Sequence, residues 1–315
     1  MTTARAAGLL LGVAADTVLA DTVLADTVLA GPRRLAPDRR PADAVRAALL
    51  LGGAVLAGVA VERLGRRNPL LQAAGTAAAT WAVLGGASVV AEGAALARAL
   101  DAGDVAQARQ RLPRLSRCDP SALDGAGLAR AAVESVAGST ADAMVGPLLW
   151  GAVAGMPGLL CYRVVDVLKA AVPPHAAAGH RWLTAAATTL DDLANLVPAR
   201  AAAVLTALCA PVVGGSAPGA WQVWRRDRAL YPSPNDGQVA AAFAGALEIR
   251  LGGRTAYPHG IAERPVLGHG RTPDAGDVTR GVELSRVVGV AAAGASAVLA
   301  AVVGAGRGRR RGALG

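Results

Sequence analysis

Val287 to Gly306, VVGVAAAGASAVLAAVVGAG, is a run of twenty residues without a charge, and it is followed at once by Arg307-Gly308-Arg309-Arg310-Arg311. At about 1.5 Å of rise per residue, a helix of this length crosses the hydrocarbon of a bilayer. The arginine cluster behind it predicts a cytoplasmic C-terminus. The rest of the chain agrees with a lipid environment. Of 315 residues, 53% are hydrophobic and only 17% are charged, whereas ordinary soluble domains carry about 25% charged residues. Other apolar runs predict spans over 6–30, 47–61, 70–97, 147–172 and 199–213, in addition to 287–306. Polar segments 101–142, 175–200 and 221–286 separate them, and the last is rich in Pro and Gly turn signals. No stretch alternates with a period of two. The expectation is an all-α chain: one polytopic helical membrane domain over 1–315, with sizeable polar helix–loop segments between spans. It is expected to be multi-pass in the cell (inner, cytoplasmic) membrane, with the lipid bilayer as a partner.

The net charge of +9 comes almost wholly from arginine. These arginines flank apolar runs (Arg33-Arg34, Arg39-Arg40, Arg63, Arg66-Arg67), which is how cations mark cytoplasmic span ends. No basic-aromatic platform for RNA or single strands accompanies them, so no nucleic-acid partner is expected. Cys118, Cys161 and Cys209 are far apart and form neither a zinc motif nor a disulfide framework. Near the N-terminus a Leu-Ala-Asp-Thr-Val repeat places Asp16, Asp21 and Asp26 five residues apart. On a helix that step turns about 140°, so the three acids spread around the helix, as a slippage-type expansion would leave them.

Four constellations carry candidate chemistry. In Leu190-Asp191-Asp192-Leu193-Ala194-Asn195-Leu196-Val197-Pro198-Ala199-Arg200, Asp191 and Asn195 share a helix face and Asp192 lies about 100° round. Pro198 is expected to end or kink the helix. Oxygen ligands grouped in this way suit Mg²⁺, and Arg200 suits a phosphate; a capped amphipathic helix end at a membrane surface fits the same string. Tyr231-Pro232-Ser233-Pro234-Asn235-Asp236-Gly237 reads as a rigid turn. Leu251-Gly252-Gly253-Arg254 lets backbone N–H groups and a cation approach an anion, although an ordinary loop fits too. Glu134 and Asp142 lie eight residues apart, close to two helical turns. Tyr162-Arg163 with Asp166 places ionisable groups in an apolar segment, where function is the default reading and a structural ion pair the alternative. No GxSxG, HExxH, Walker A or GxGxxG string occurs, and His175, His180, His259 and His269 follow no ligand spacing.

In their order along the chain, these strings resemble the CobD/CbiB family of cobalamin biosynthesis. The residues that carry the resemblance are Leu115-Ser116-Arg117, Val133-Glu134-Ser135-Val136-Ala137 with Asp142, and Gly146-Pro147-Leu148-Leu149-Trp150. They continue through Gly155-Met156-Pro157-Gly158 with Tyr162-Arg163, Leu190 to Arg200, and Ser233-Pro234-Asn235. Ala244-Gly245-Ala246-Leu247 with Arg250 to Gly253, Tyr257 and Leu267-Gly268 complete the series. The resemblance implies a polytopic membrane enzyme that condenses the propionate of adenosylcobyric acid with an amino alcohol phosphate in an ATP- and Mg²⁺-dependent reaction. It is thus an adenosylcobinamide-phosphate synthase-type amide ligase, whose partners are a corrinoid, an amino alcohol phosphate and other membrane proteins of the pathway. It further implies Asp191, Asp192 and Asn195 as groups for Mg²⁺ or ATP phosphate, and Arg163 and Arg200, with Tyr162, Ser233, Asn235, Gly252 and Gly253, as substrate-binding. Glu134 or Asp142 would then serve the amine.

The chain departs from the family pattern in places. Gly138-Ser139 stand where the family usually has Glu-Asn, and Asp166-Val167-Leu168-Lys169 where it has Asn-Thr-Leu-Asp. Gly31, Ala36 and Ala240 also replace polar residues. A diverged, non-catalytic paralogue acting as scaffold or corrin-binding subunit is therefore a second reading. A prenyltransferase would want a second aspartate-rich motif, and a transporter would want internal repeats; neither is visible.

Overall fold

A computed structural model describes residues 2–18, 41–65, 68–171, 181–257 and 260–312. The helices are α1 (Thr2–Val18), α2 (Pro41–Gly65), α3 (Pro69–Val83), α4 (Gly86–Asp101), α5 (Val105–Arg111), α6 (Gly125–Ser139), α7 (Gly146–Ala171), α8 (Arg181–Cys209), α9 (Ala217–Asp227), α10 (Asp236–Leu247) and α11 (Ala275–Gly312). A π-helical turn, Thr140–Val145, joins α6 to α7. The protein is all-α in class. Four helical runs among the described residues are long and apolar enough to cross a membrane: Pro69–Asp101, Gly125–Asp166, Thr184–Val213 and Ala275–Ala305.

Local chemistry sets the helix starts. The Asn68 side chain accepts from the N–H groups of Leu70 and Leu71, with Pro69 as the first helical residue. Asp104, Asp124 and Ser216 cap α5, α6 and α9 in the same way. Each satisfies backbone donors that the helix itself leaves unpaired.

The helix bounds differ from the apolar runs in instructive ways. Run 70–97 is two helices, parted at Leu84-Gly85, and 287–306 is the interior of the longer α11. Only residues 2–18 of the N-terminal run are described; 19–30, with Asp21 and Asp26, lie outside the described residues, as do Arg33-Arg34, Arg39-Arg40, Arg66-Arg67, His175, His180 and His259. Pro198 does not end α8, which continues to Cys209. A proline has no N–H to give to the carbonyl four residues earlier. Here that carbonyl, of Ala194, accepts from the Trp150 indole N–H at 3.0 Å, so the acceptor freed by the proline is satisfied.

The packing falls into two compact units, 1–85 with 143–195 and 292–315, and 86–142 with 196–291. In the first, α1 packs closely on α3, and α2 and α3 pack on α7. Gly8 and Gly12 of α1 face Thr76 and Thr80 of α3; a Cβ on either glycine would lie within 2.5 Å of a threonine Cβ. Small residues spaced by four are what close helix approach requires. Gly155 breaks α7 with φ of 73°, beside the ion pair of Arg5 and Glu62.

In the second unit, α9 packs on α10, which is buried along nearly its whole length, and Trp224 donates to Gln238 at 2.7 Å. This unit also holds an antiparallel hairpin of β1 (Leu251–Tyr257) and β2 (Gly260–Leu267). Its strands escape a period-two search because Gly252 and Gly253 sit at φ of 85° and 84°, making a bulge, and because Pro265 belongs to an edge strand. The 115–124 loop adds a hydrogen bond from Asp119 N–H to the Ala256 carbonyl at 2.8 Å.

Candidate functional site

Polar side chains gather in two clusters, one in each unit. The first is a chain of hydrogen bonds between α7 and α8. Tyr162 donates its hydroxyl to Asn195 Oδ1 at 2.7 Å, and Asn195 Nδ2 donates to Asp191 Oδ1 at 3.1 Å. Lys169 Nζ donates to Asp191 Oδ2 at 2.5 Å. Asp191 and Asn195 are each 3% exposed. The helical spacing of four puts Asp191 beside Asn195, as the sequence implies. Tyr162 reaches Asn195 only because residue 146 is glycine, since a Cβ there would sit 2.3 Å from the Tyr162 hydroxyl. Arg163 is paired with Asp166 at 2.6 Å. Asp192 is half-exposed on the adjoining face of α8.

This cluster does not fit a protein-held Mg²⁺. Both oxygens of Asp191 are taken, one by the Lys169 ammonium and one by the Asn195 amide, and Asn195 is itself held by Tyr162. Among the described residues no three His, Cys, Asp or Glu side chains gather as a metal would need. Of the expected metal pair, Asp191 is thus engaged by Lys169 and Asn195, and Asp192 stands half-exposed beside it. The physical reason is that Lys169, one turn beyond Asp166, supplies the positive charge the carboxylate requires.

The second cluster is built on α6, the hairpin and the turn before α10. Glu134 Oε1 accepts the Gly252 N–H at 2.7 Å, and the Arg264 Nη1 lies 3.8 Å from Glu134 Oε2. Arg130, one turn before Glu134, donates to the carbonyls of Gly252 and Arg254. Gly252 could not carry a side chain, because its Cβ would lie 2.0 Å from the Pro265 carbonyl. The Arg264 guanidinium stacks over Tyr257, 5.5 Å from the ring centroid. Burial pushes the Tyr231 phenol up to about 12, with the Glu134 charge acting in the same sense and Arg264 opposing it. Tyr257 is raised for the same leading reason. Both phenols thus stay neutral beside the Glu134 carboxylate.

The turn extends this cluster. Ser233 Oγ accepts from the N–H groups of Asn235 and Asp236, the role of a turn hydroxyl. Asn235 Oδ1 accepts from Arg200 at 3.5 Å, while Arg200 also reaches the Leu196 carbonyl at 2.5 Å. The structure therefore brings together Glu134, Gly252 and Gly253 with the turn residues and Arg200 in one unit, and Tyr162, Arg163, Asp191 and Asn195 in the other. Asp142 lies in the π turn, so the 3.6-residue register that would put it on the face of Glu134 does not run through to it. Of the replaced family positions, Gly138 faces open space, Ala240 is buried in α10, and Gly31 and Ala36 lie outside the described residues.

Arg264, Tyr231 and Arg130 were not among the site residues expected from the sequence. Ala-Glu-Arg-Pro around Arg264 has no motif spacing, and only the hairpin register sets Arg264 across from Gly253.

Fold and site together define a helical membrane protein with several spans, whose polar chemistry is concentrated on helix faces and one short hairpin. The chain belongs to the CobD/CbiB family: the family profile described as CobD/Cbib protein matches residues 9–285. It is 48% identical to the Cobalamin biosynthesis protein CobD of Mycobacterium tuberculosis (strain H37Rv) across 92% of this chain and 94% of the relative. A protein of the same name from Rhodobacter capsulatus is 40% identical over 61% of this chain and 60% of its own length. One from Chromobacterium violaceum is 38% identical over 75% of this chain and 73% of its own length. No solved structure matches the chain significantly. Membership in this family makes it a protein of cobalamin biosynthesis.

Proposed function

We propose that the chain is an amide-forming enzyme of the adenosylcobinamide-phosphate synthase type. It joins the propionate of adenosylcobyric acid to an amino alcohol phosphate. The observation that carries this reading is Glu134, a carboxylate 13% exposed, held on one oxygen by the Gly252 N–H and facing Arg264 at 3.8 Å, beyond hydrogen-bond reach, on the other. Amide formation needs an activated acid and a neutral amine. ATP transfers its terminal phosphoryl group to a propionate oxygen, releasing ADP and leaving an acyl phosphate. The amine nitrogen then attacks the acyl carbon, the C–N bond forms, and phosphate leaves with the C–O electron pair. Glu134 holds the ammonium and takes one proton from it before attack, leaving the neutral amine with its lone pair; the second proton lost from nitrogen departs with the phosphate. Arg200, oriented by Asn235, offers a guanidinium to a substrate anion. The nucleotide brings its own Mg²⁺, since Asp191 is already paired. The enzyme works in the cytoplasmic membrane, beside other membrane proteins of the pathway.

A second reading, a non-catalytic scaffold or corrin-binding subunit, is favoured by the closed Lys169–Asp191 pair. One assay separates the two. Membranes holding the chain receive adenosylcobyric acid, (R)-1-amino-2-propanol phosphate, ATP and Mg²⁺, and adenosylcobinamide phosphate is measured by mass spectrometry. Product is expected, and Glu134→Gln lowers its rate about 10²- to 10⁴-fold. Absence of product, while another family member makes it under the same conditions, overturns the enzymatic reading in favour of the scaffold.

A further inference from the structure

We infer that Arg264, together with Glu134, Tyr231 and Tyr257, forms a pocket for a small zwitterion, in which Arg264 binds the phosphate of the amine substrate and so selects the phosphorylated amino alcohol. This rests on the proposal that the amine is held at Glu134.

Three observations single out Arg264. First, the two arginines nearest Glu134 are used differently. Arg130 gives its guanidinium to the carbonyls of Gly252 and Arg254 and so holds the strand in place. Arg264 is 40% exposed along its side chain and stands 3.8 Å from Glu134 Oε2, farther than a hydrogen bond reaches. Second, Glu134 is anchored through its other oxygen by a backbone N–H, so its Oε2 keeps acceptor capacity when Arg264 turns away. Third, Gly253 lies across the ladder from Arg264, and the nearest partners of the guanidinium besides Glu134 are the phenols of Tyr231 and Tyr257, which leave donors of its five-N–H fork available. The guanidinium rests on the face of Tyr257, an attraction of about 0.5–2 kcal/mol.

A carboxylate and a guanidinium set close but not hydrogen-bonded are the negative image of a molecule with an ammonium at one end and a phosphate at the other. The ammonium goes to Glu134 Oε2 and the phosphate to the Arg264 fork, which matches its geometry with paired N–H donors. The half-buried, neutral phenols of Tyr231 and Tyr257 lower the local polarity and strengthen both pairings.

The test is ligand binding to the full chain in lipid nanodiscs, measured by calorimetry with (R)-1-amino-2-propanol phosphate, free (R)-1-amino-2-propanol and ATP. Wild-type protein is expected to prefer the phosphorylated amine. Arg264→Ala should weaken that ligand about ten- to a hundredfold and leave the free amino alcohol and ATP unchanged. Arg264→Lys should fall between. Unchanged binding of the free amino alcohol also shows that the variant is folded. The inference is overturned if Arg264→Ala keeps the preference, if it weakens both amines by one factor, or if it weakens ATP alone. If the wild-type chain binds neither amine, the amine assignment of Glu134 itself is overturned, which is a distinct failure.

Discussion

Lys169 is the only lysine in the chain, and its ammonium lies 2.5 Å from a carboxylate that is 4% exposed along its side chain. A buried carboxylate requires a nearby positive charge, hydrogen bonds, or a proton of its own. Asp191 has the first from Lys169 and the second from Asn195. Taking away Lys169 leaves a buried charge to be satisfied by something else. Lys169→Met is expected to destabilise the protein by about 1–3 kcal/mol, less than a fully buried pair would lose because Lys169 is partly exposed. Thermal melts in detergent measure this, and the double variant with Asp191→Asn should recover part of the loss. Metal binding gives a sharper test: Mn²⁺ should bind Lys169→Ala in an Asp191-dependent way and should not bind the wild-type chain there. Asp191-dependent Mn²⁺ binding by wild-type protein, seen by electron paramagnetic resonance, would sink the account.

At the scale of elements, the decisive interactions are made by residues that break rules of composition. Pro198 stands in mid-helix and Trp150 answers it. Gly8 and Gly12, poor helix formers by propensity, sit where a Cβ would run into Thr76 and Thr80 of α3. A larger side chain has no room there, and Gly12→Leu is expected to cost about 1–3 kcal/mol by overpacking. A melting temperature equal to that of wild type would show that the contact is not formed in the membrane. The hairpin likewise depends on two glycines at positive φ. Its bulge turns the Gly252 N–H toward Glu134, so the site exists because the strand is irregular.

At the scale of the molecule, the four long apolar helices make a multi-pass membrane protein, and the arginines at 307–311 bear on its orientation. Cations next to a span are retained on the cytoplasmic side. A green fluorescent protein fused after Gly315 is therefore expected to fluoresce, and alkaline phosphatase at the same point to be inactive. The reverse pair of results would place the tail outside.

How much of this could be read from the chain alone follows from the range of the forces involved. Partition into lipid is an additive property of consecutive residues, so the apolar runs determined the class without any tertiary information. Motifs local in sequence, such as Asp191 with Asn195, were legible for the same reason: four residues on a helix are neighbours whatever the fold. The order of the short polar strings was enough to identify the family. Three features were decided only by tertiary structure. Lys169 on Asp191 is a pairing across 22 residues, Gly252 on Glu134 one across 118, and Arg264 beside Tyr257 depends on a strand register. Each depends on where the backbone returns, which no local pattern encodes. Each also changes the local electrostatics, by pairing one acid, anchoring another, and setting an arginine beside it.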